Sequence, residues 1–320
     1  SPGTRGRRIR RHGTGVLGAI PLGPSHYVTA SRWSFALLVA VSAACEASPE
    51  PRHEAYAAIV AEEDARGSAG IARIEELMAD PDEFVRTRAV RALGRLEDPA
   101  HIDRIARVGA DPSAAVRATV AWALAQAVFA TTATDVLPHL RRLAEDEDDP
   151  AVLGALATSA GRLTPSNSDE LGAQLELLTV LAGALPAPLS DPGLVGHLGL
   201  ARGLEALARR TAPTGSDAAG VAGLAEPLTE IESDGEAQAA ARIRGLATGA
   251  LIHSGRLSEE RLTRASEDED AEVRRLAAVA VTRYGRGFRA LVPTLLADPE
   301  PRVRVAALAA YDRWLRPSQG

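Results

Sequence analysis

The sequence contains no lysine: all 36 basic residues are arginine. A phosphate-loop lysine, a Schiff-base lysine and a Ser-Lys dyad are therefore excluded. There is one cysteine, Cys45, so neither an internal disulfide nor a thiolate metal cluster can form within the chain. Aromatic residues amount to only 3%, whereas Ala, Leu and Val dominate the 46% that is apolar. Sandwiches and barrels draw on β-branched and aromatic side chains, so this composition favours helices packed on small residues.

The seven histidines (12, 26, 53, 101, 139, 197, 253) stand singly, with no pair at i+3 or i+4. "HEAYA" at 53–57 lacks the second histidine of a zinc helix. "GTGVLG" at 13–18 spells a dinucleotide fingerprint, but no strand precedes it and no acidic residue follows about 20 positions on. The acidic runs "EDEDD" (145–149) and "SEDED" (266–270) lack the alternating ligands, mid-loop Gly and distal Glu of a calcium loop. No catalytic, cofactor-binding or metal-ligating set emerges, and the expectation is a non-enzyme without a cofactor.

Charge is divided unevenly. Residues 1–45 hold six Arg and no Asp or Glu, so the other 30 Arg face all 42 acidic residues and leave that part at −12. Phosphate neutralisation dominates nucleic-acid binding, so such a body is expected not to bind nucleic acid.

The segment "SRWSFALLVAVSAACEASPEP" has one Arg, an apolar run over 35–41, then Ser42-Ala43-Ala44 before Cys45. The run falls far short of the roughly 20 residues a membrane-spanning helix needs, and reads as a signal h-region before a cleavage site. It resembles the lipobox of bacterial lipoproteins, which implies that Cys45 is diacylated and becomes the mature N-terminus. Ser42 departs from that pattern, where Leu is usual three residues before the cysteine. Ordinary signal cleavage, or an uncleaved cytoplasmic protein, remain the alternatives. "RGRRIRRHG" lies too far upstream to be the n-region, which suggests a start near Val28, and "RRIRR" lacks the apolar residues a twin-arginine signal carries close behind. The expected location is the extracytoplasmic side of the cell envelope, with membrane contact only through that lipid.

One motif recurs. "DPDEFVRTRAVRALGRL" at 80 returns as "DPSAAVRATVAWALAQA" at 111, "DEDAEVRRLAAVAVTRY" at 268 and "DPEPRVRVAALAAYDRW" at 298. Aligned on the acidic residue, seven copies begin at Asp80, Asp111, Glu147, Asp191, Asp234, Asp268 and Asp298, at intervals of 31, 36, 44, 43, 34 and 30 residues. Such periods with a helical internal pattern denote an α-solenoid. The Asp reads as an N-cap, with Pro81, Pro112 and Pro299 at the first helical position. Val85, Ala89, Ala92, Leu93 and Leu96 then fall on one helix face, as do Val116, Val120, Ala123 and Leu124, the set 273, 277, 280 and 281, and Val303, Ala307, Ala310 and Tyr311. One copy cannot bury that face alone, so stacking is obligatory. A second amphipathic segment precedes each, as in "IARIEELMAD" (71–80) and "FRALVPTLLADP" (288–299). Pro138 and Pro293 sit near the N-terminal turns of two of these, where proline is tolerated.

Two helices per unit with a D-P-x-x-x-V-R start resemble HEAT repeats of the short bacterial type, over about residues 55–315 and most weakly at 164–257. The resemblance implies an all-α fold, a right-handed α-solenoid over 49–316 behind a leader at 1–48. It also implies a polar ladder between units built from Asp80, Arg86, Asp111, Arg117, Asp268, Arg274, Asp298 and Arg304, with His197 as a structural substitute in the Asp191 copy. Second helices usually line the concave side of such arrays. Here they carry Arg88, Arg91, Arg95, Trp122, Arg162, Arg202, Arg283 and Arg313, a stripe suited to an acidic peptide or protein. The functional expectation is a protein-binding scaffold. The alternatives are a HEAT-like bilin lyase, which would need an aromatic-walled pocket, and a HEAT-fold DNA glycosylase, which would need a basic groove.

Overall fold

In the computed structural model the described residues are 51–65, 68–129, 136–187, 191–232 and 235–314. The chain divides into two units, Ser1–Pro49 and Glu50–Gly320, and every described residue belongs to the second. Cys45 and the leader lie outside the described residues, as does Asp234.

Helices form wherever the apolar spacing is helical, and among the described residues there is no strand. In chain order they are α1 (Pro51–Ala65), α2 (Ser68–Leu77), α3 (Glu83–Arg95), α4 (Ile102–Ala106), α5 (Ala114–Ala127), α6 (Leu137–Ala144), α7 (Pro150–Arg162) and α8 (Ser168–Ala184). The series continues with α9 (Asp191–Thr211), α10 (Gly215–Ala225), α11 (Ala237–Ser254), α12 (Glu259–Ser266), α13 (Ala271–Tyr284), α14 (Val292–Leu296) and α15 (Pro301–Trp314). The odd-numbered helices are the second helices of the repeats and pack each on the next odd one; the even-numbered helices back them in a second layer. This is an all-α solenoid.

The repeated slots are the core. Val85, Ala89, Ala92 and Leu93, then Val116, Val120, Ala123 and Leu124, then Val273, Ala277, Ala280 and Val281 are all buried. A large side chain hidden this way, such as Leu93 or Leu124, contributes about 1.5–3 kcal/mol. One apolar cluster runs from Ile59 to Leu251 and a second from Ile252 to Ala310, and Leu257 packs on both. Tyr311 is the exception: its slot is buried in the other three copies, but 37% of it is exposed on α15, because no described unit stacks beyond that helix.

Helix starts fall two residues later than the sequence suggested. The N-caps are Asp82, Asp149 and Asp270, whose side chains accept from the first-turn amides, and Ser113, which makes no side-chain cap bond. Asp80, Asp111 and Asp268 therefore stand before the cap, and Asp298 likewise precedes α15 by three residues. Pro81 and Pro112 also precede the caps, and Pro299 lies ahead of α15. In the repeat copies it is Pro150 and Pro301 that open helices.

Between α7 and α9 the backbones nearly touch. A Cβ at Gly199 would collide with the Gly154 carbonyl, one at Gly161 with Gly203, and one at Gly203 with the Ala157 carbonyl. Thr158 Oγ1 lies 2.9 Å from the Gly154 oxygen and 3.0 Å from the Gly199 oxygen, tying the two helices across this seam. Gly199→Ala is expected to cost about 1–3 kcal/mol in urea denaturation through overpacking. Gly172→Ala, on α8 with open space around it, is expected to stabilise by about 0.5–1 kcal/mol through helix propensity. Equal effects at the two sites would contradict the close approach.

Candidate functional site

The motif's acidic residue and arginine meet across the boundary between units. Arg86 on α3 grips Asp111 of the next unit with Nε at 2.7 Å and Nη2 at 2.9 Å. Its Nη1 meanwhile donates to the carbonyls of Asp80 and Pro81 in its own unit, at 2.9 and 3.1 Å. Arg117 repeats this on Glu147 (2.7 and 2.9 Å), and Arg274 on Asp298 (2.7 and 3.1 Å). Each acidic residue also accepts from the backbone amide two residues on: Ser113 for Asp111, Asp149 for Glu147 and Glu300 for Asp298. One carboxylate thus fixes its own turn with one bond and its neighbour's arginine with two more. The rungs are largely covered, with side-chain exposures of 12% and 6% for Arg86 and Asp111.

A further rung was not visible in the repeat alignment. Arg244 on α11 forks onto Asp268 at 2.8 Å through both Nε and Nη2 and donates to the Ile231 carbonyl at 3.0 Å. The signal was the Ile243-Arg244 pair, 24 residues before Asp268 just as Arg274 is 24 before Asp298. Aligning that copy on Asp234 put the arginine out of register. No rung joins α7 to α9: Leu153 fills the arginine slot of the Glu147 copy and is buried. His197 bonds within its own helix, Nδ1 to the Gly193 oxygen at 2.8 Å.

The even layer carries its own cross-unit pairs, also unread from the sequence. Glu75 takes Arg104 and Arg107, and Glu230 takes Arg261 (3.0 Å) and Arg264 (2.6 Å). Their exposure to solvent screens these pairs, so they add little to stability.

On the solvent-facing side of the odd helices, the predicted arginine stripe separates into neutralised and open parts. Arg88 and Arg95 both reach Glu63, at 2.6 and 2.8 Å. Arg91 lies over the Trp122 ring, 4.9 Å from its centre, and that ring packs back toward Gly94 of the preceding unit. Arg162 donates to the neutral Gln126 at 3.1 Å. Arg283 contacts His253 Nδ1 at 3.3 Å, and His253 in turn faces Glu205. Arg313 covers Trp314. Arg202 is half-buried on α9, and among the described residues its guanidinium has no acceptor. Burial first, and then the neighbouring Arg242 of α11, push Arg202 below the usual guanidinium range. Arg242 is exposed and likewise without an acceptor. Exposed Val195 and half-buried Leu198 and Leu246 share this side of α9 and α11.

A cleft of about 970 Å³ between the Pro227–Glu230 turn, α11 and α12 is lined by Glu230, Arg244, Arg261, Arg264 and Asp268, whose charges already pair with one another. Among the described residues no three His, Cys, Asp or Glu side chains converge to hold a metal, and no helix is long and apolar enough to cross a membrane.

The Arg274 fork holds the Asp298 carboxyl below its ordinary value, against the opposing effect of burial. At Asp111 and Glu147 burial pushes upward most strongly, but the arginine forks and backbone amides together outweigh it. A depressed carboxylate contributes stability that is complete above its unfolded pKa of about 4 and is lost as pH falls through the folded value. Asp298→Asn should therefore lose less stability than the parent between about pH 5 and pH 3 in thermal melts. Parallel pH profiles for the two proteins would contradict the rung.

The family model for HEAT repeats matches residues 38–125 and again 72–161. Two solved structures of engineered proteins are similar to the chain. One is 19% identical, with 80% of this chain and 70% of that one covered at a TM-score of 0.49. The other is 15% identical, covering 76% and 95% at 0.45. No curated protein matches.

Proposed function

We propose that this chain of HEAT repeats is a non-catalytic scaffold that binds an acidic protein or peptide on the solvent-facing side of its odd-numbered helices. The observation that carries the reading is the unanswered positive charge at Arg202 and Arg242, on a body whose other arginines largely face carboxylates, carbonyls or rings. Arg162, held only by a neutral amide, extends that charge to α7. A half-buried guanidinium without an acceptor gains a charge-assisted bond when a carboxylate arrives, and Val195, Leu198 and Leu246 offer apolar anchorage beside it. Arg91 stacked on Trp122 continues the surface toward the N-terminal units.

The proposal includes export and a diacyl anchor at Cys45, resting on the apolar run and small residues before that cysteine. The anchor would hold the array at the extracytoplasmic face of a membrane.

Two experiments test the parts separately. A fluorescent Asp/Glu/Leu peptide titrated into the full chain should bind at least about tenfold more weakly to Arg202→Glu/Arg242→Glu, and less than about twofold more weakly to Arg107→Glu on the even layer. Equal losses would reduce the surface to general electrostatics. Intact-mass analysis of the native mature protein should show a diacylated N-terminus at Cys45. An unprocessed chain, or a Cys45→Ala variant retained in the membrane fraction, would remove the anchor from the account.

A further inference from the structure

Three consecutive units meet at one imidazole. His253 on α11 stands between Glu205 of α9 and Arg283 of α13. Arg283 Nη1 lies 3.3 Å from His253 Nδ1. A guanidinium has donors only, so Nδ1 accepts, and the neutral ring carries its proton on Nε2. That nitrogen faces Glu205 Oε1 at 3.8 Å, and the same oxygen lies 3.0 Å from Arg209 Nε. The absence of a side chain at Gly249 gives Glu205 room to reach across, since a Cβ there would lie 3.3 Å from its Cγ.

The cluster belongs to the surface that carries the open arginines. On α9, Leu198, Arg202, Glu205 and Arg209 stand at i, i+4, i+7 and i+11. On α11, Arg242, Leu246, Gly249 and His253 repeat that spacing. Each set is one stripe, so the imidazole lies about two turns beyond Leu246 and three beyond Arg242.

The surroundings favour the neutral ring. Burial draws the imidazole below its ordinary value; Glu205 opposes that, while Arg283 and Arg209 reinforce it. Arg256, three residues on, is held away by the Gly215 carbonyl, 2.9 Å from its Nη2. Tyr284, whose ring centre lies 5.7 Å from the Arg283 guanidinium carbon, is kept protonated by burial.

A second proton changes the arrangement. Placed on Nδ1, it removes the acceptor of Arg283 and sets two cationic N–H groups against each other. The imidazolium is then drawn to Glu205, and Arg283 is left without an acceptor among the described residues, as Arg202 and Arg242 already are.

We propose that protonation of His253 releases Arg283 onto the surface of Arg202 and Arg242, so that an acidic segment binds this face more tightly in mild acid. The inference rests on the acidic-partner reading of that surface. Aspartate and glutamate side chains stay ionised down to about pH 5, so between about pH 6.5 and pH 5 the partner keeps its charge while the surface gains positive charge.

Titrating the fluorescent Asp/Glu/Leu peptide into the full chain at about pH 7.5 and about pH 5.5 tests the switch. The peptide should bind at least about threefold more tightly at the lower pH. His253→Gln should bind it equally at both, and Arg283→Gln should lose most of the gain. His197→Gln, a histidine of α9 bonded within its own helix, should keep the gain. Nitrogen NMR at about pH 7.5 should find the His253 proton on Nε2. A gain that survives His253→Gln, a gain lost in His197→Gln, or a ring protonated on Nδ1 instead overturns the proposal. A peptide bound equally at both pH values overturns it alone and leaves the acidic-partner reading standing; a peptide bound at neither overturns both.

Discussion

An arginine clamped by two carbonyls of its own unit has one free edge, and the carboxylate that fills it belongs to the next unit. That single constraint sets where each helix pair sits on the one before. Arg86, Arg117 and Arg274 obey it, Arg244 does so with the single carbonyl of Ile231, and in each case the partner carboxylate also shapes the turn into its own helix. Removing two charges from water costs much of what their attraction returns, so a covered rung adds little net stability compared with an apolar pair of the same size. Its contribution is register. Burial of Val90, Leu93, Leu124 and their counterparts supplies the adhesion, but small apolar faces slide easily, and the forked pair permits one alignment.

The middle of the array follows a different rule. Between α7 and α9 the arginine slot is a buried leucine, and the helices are instead drawn together along Gly154, Gly161, Gly199 and Gly203 until their backbones set the spacing. Close backbone packing fixes register as firmly as a rung, because a shift by one residue would drive a side chain into a facing carbonyl. On the solvent-facing side of α7, α9 and α11, Arg162, Arg202 and Arg242 have no carboxylate partner among the described residues.

Much of this was legible in the sequence. The repeat period, the apolar slots and the spacing of the acidic residue from its arginine are all local signals, and they specify stacked helix pairs. What escaped has physical causes. Asp-Pro before an apolar run reads as an N-cap in terms of one helix alone, but the tertiary rung claims Asp111, Asp268 and Asp298, the Asp80 carboxylate accepts from the Asp82 amide, and the residue two positions on takes over the cap at Asp82, Ser113 and Asp270. Arg244 was hidden because longer loops displaced its copy from the alignment. Tyr311 reads as core because its slot is core elsewhere; it is exposed because no described unit stacks on α15. For the arginine stripe, sequence could place the residues on one side but not assign their partners, and Glu63 turned out to neutralise Arg88 and Arg95 while Arg202 stayed open.

The rung itself can be weighed with a double-mutant cycle on Arg86 and Asp111, using Arg86→Gln, Asp111→Asn and the pair together in urea denaturation. A covered, forked pair linking two units should give a coupling energy of about 1–3 kcal/mol. A coupling indistinguishable from zero, with the two single losses simply adding, would mean that the units align without the rung and would contradict the account.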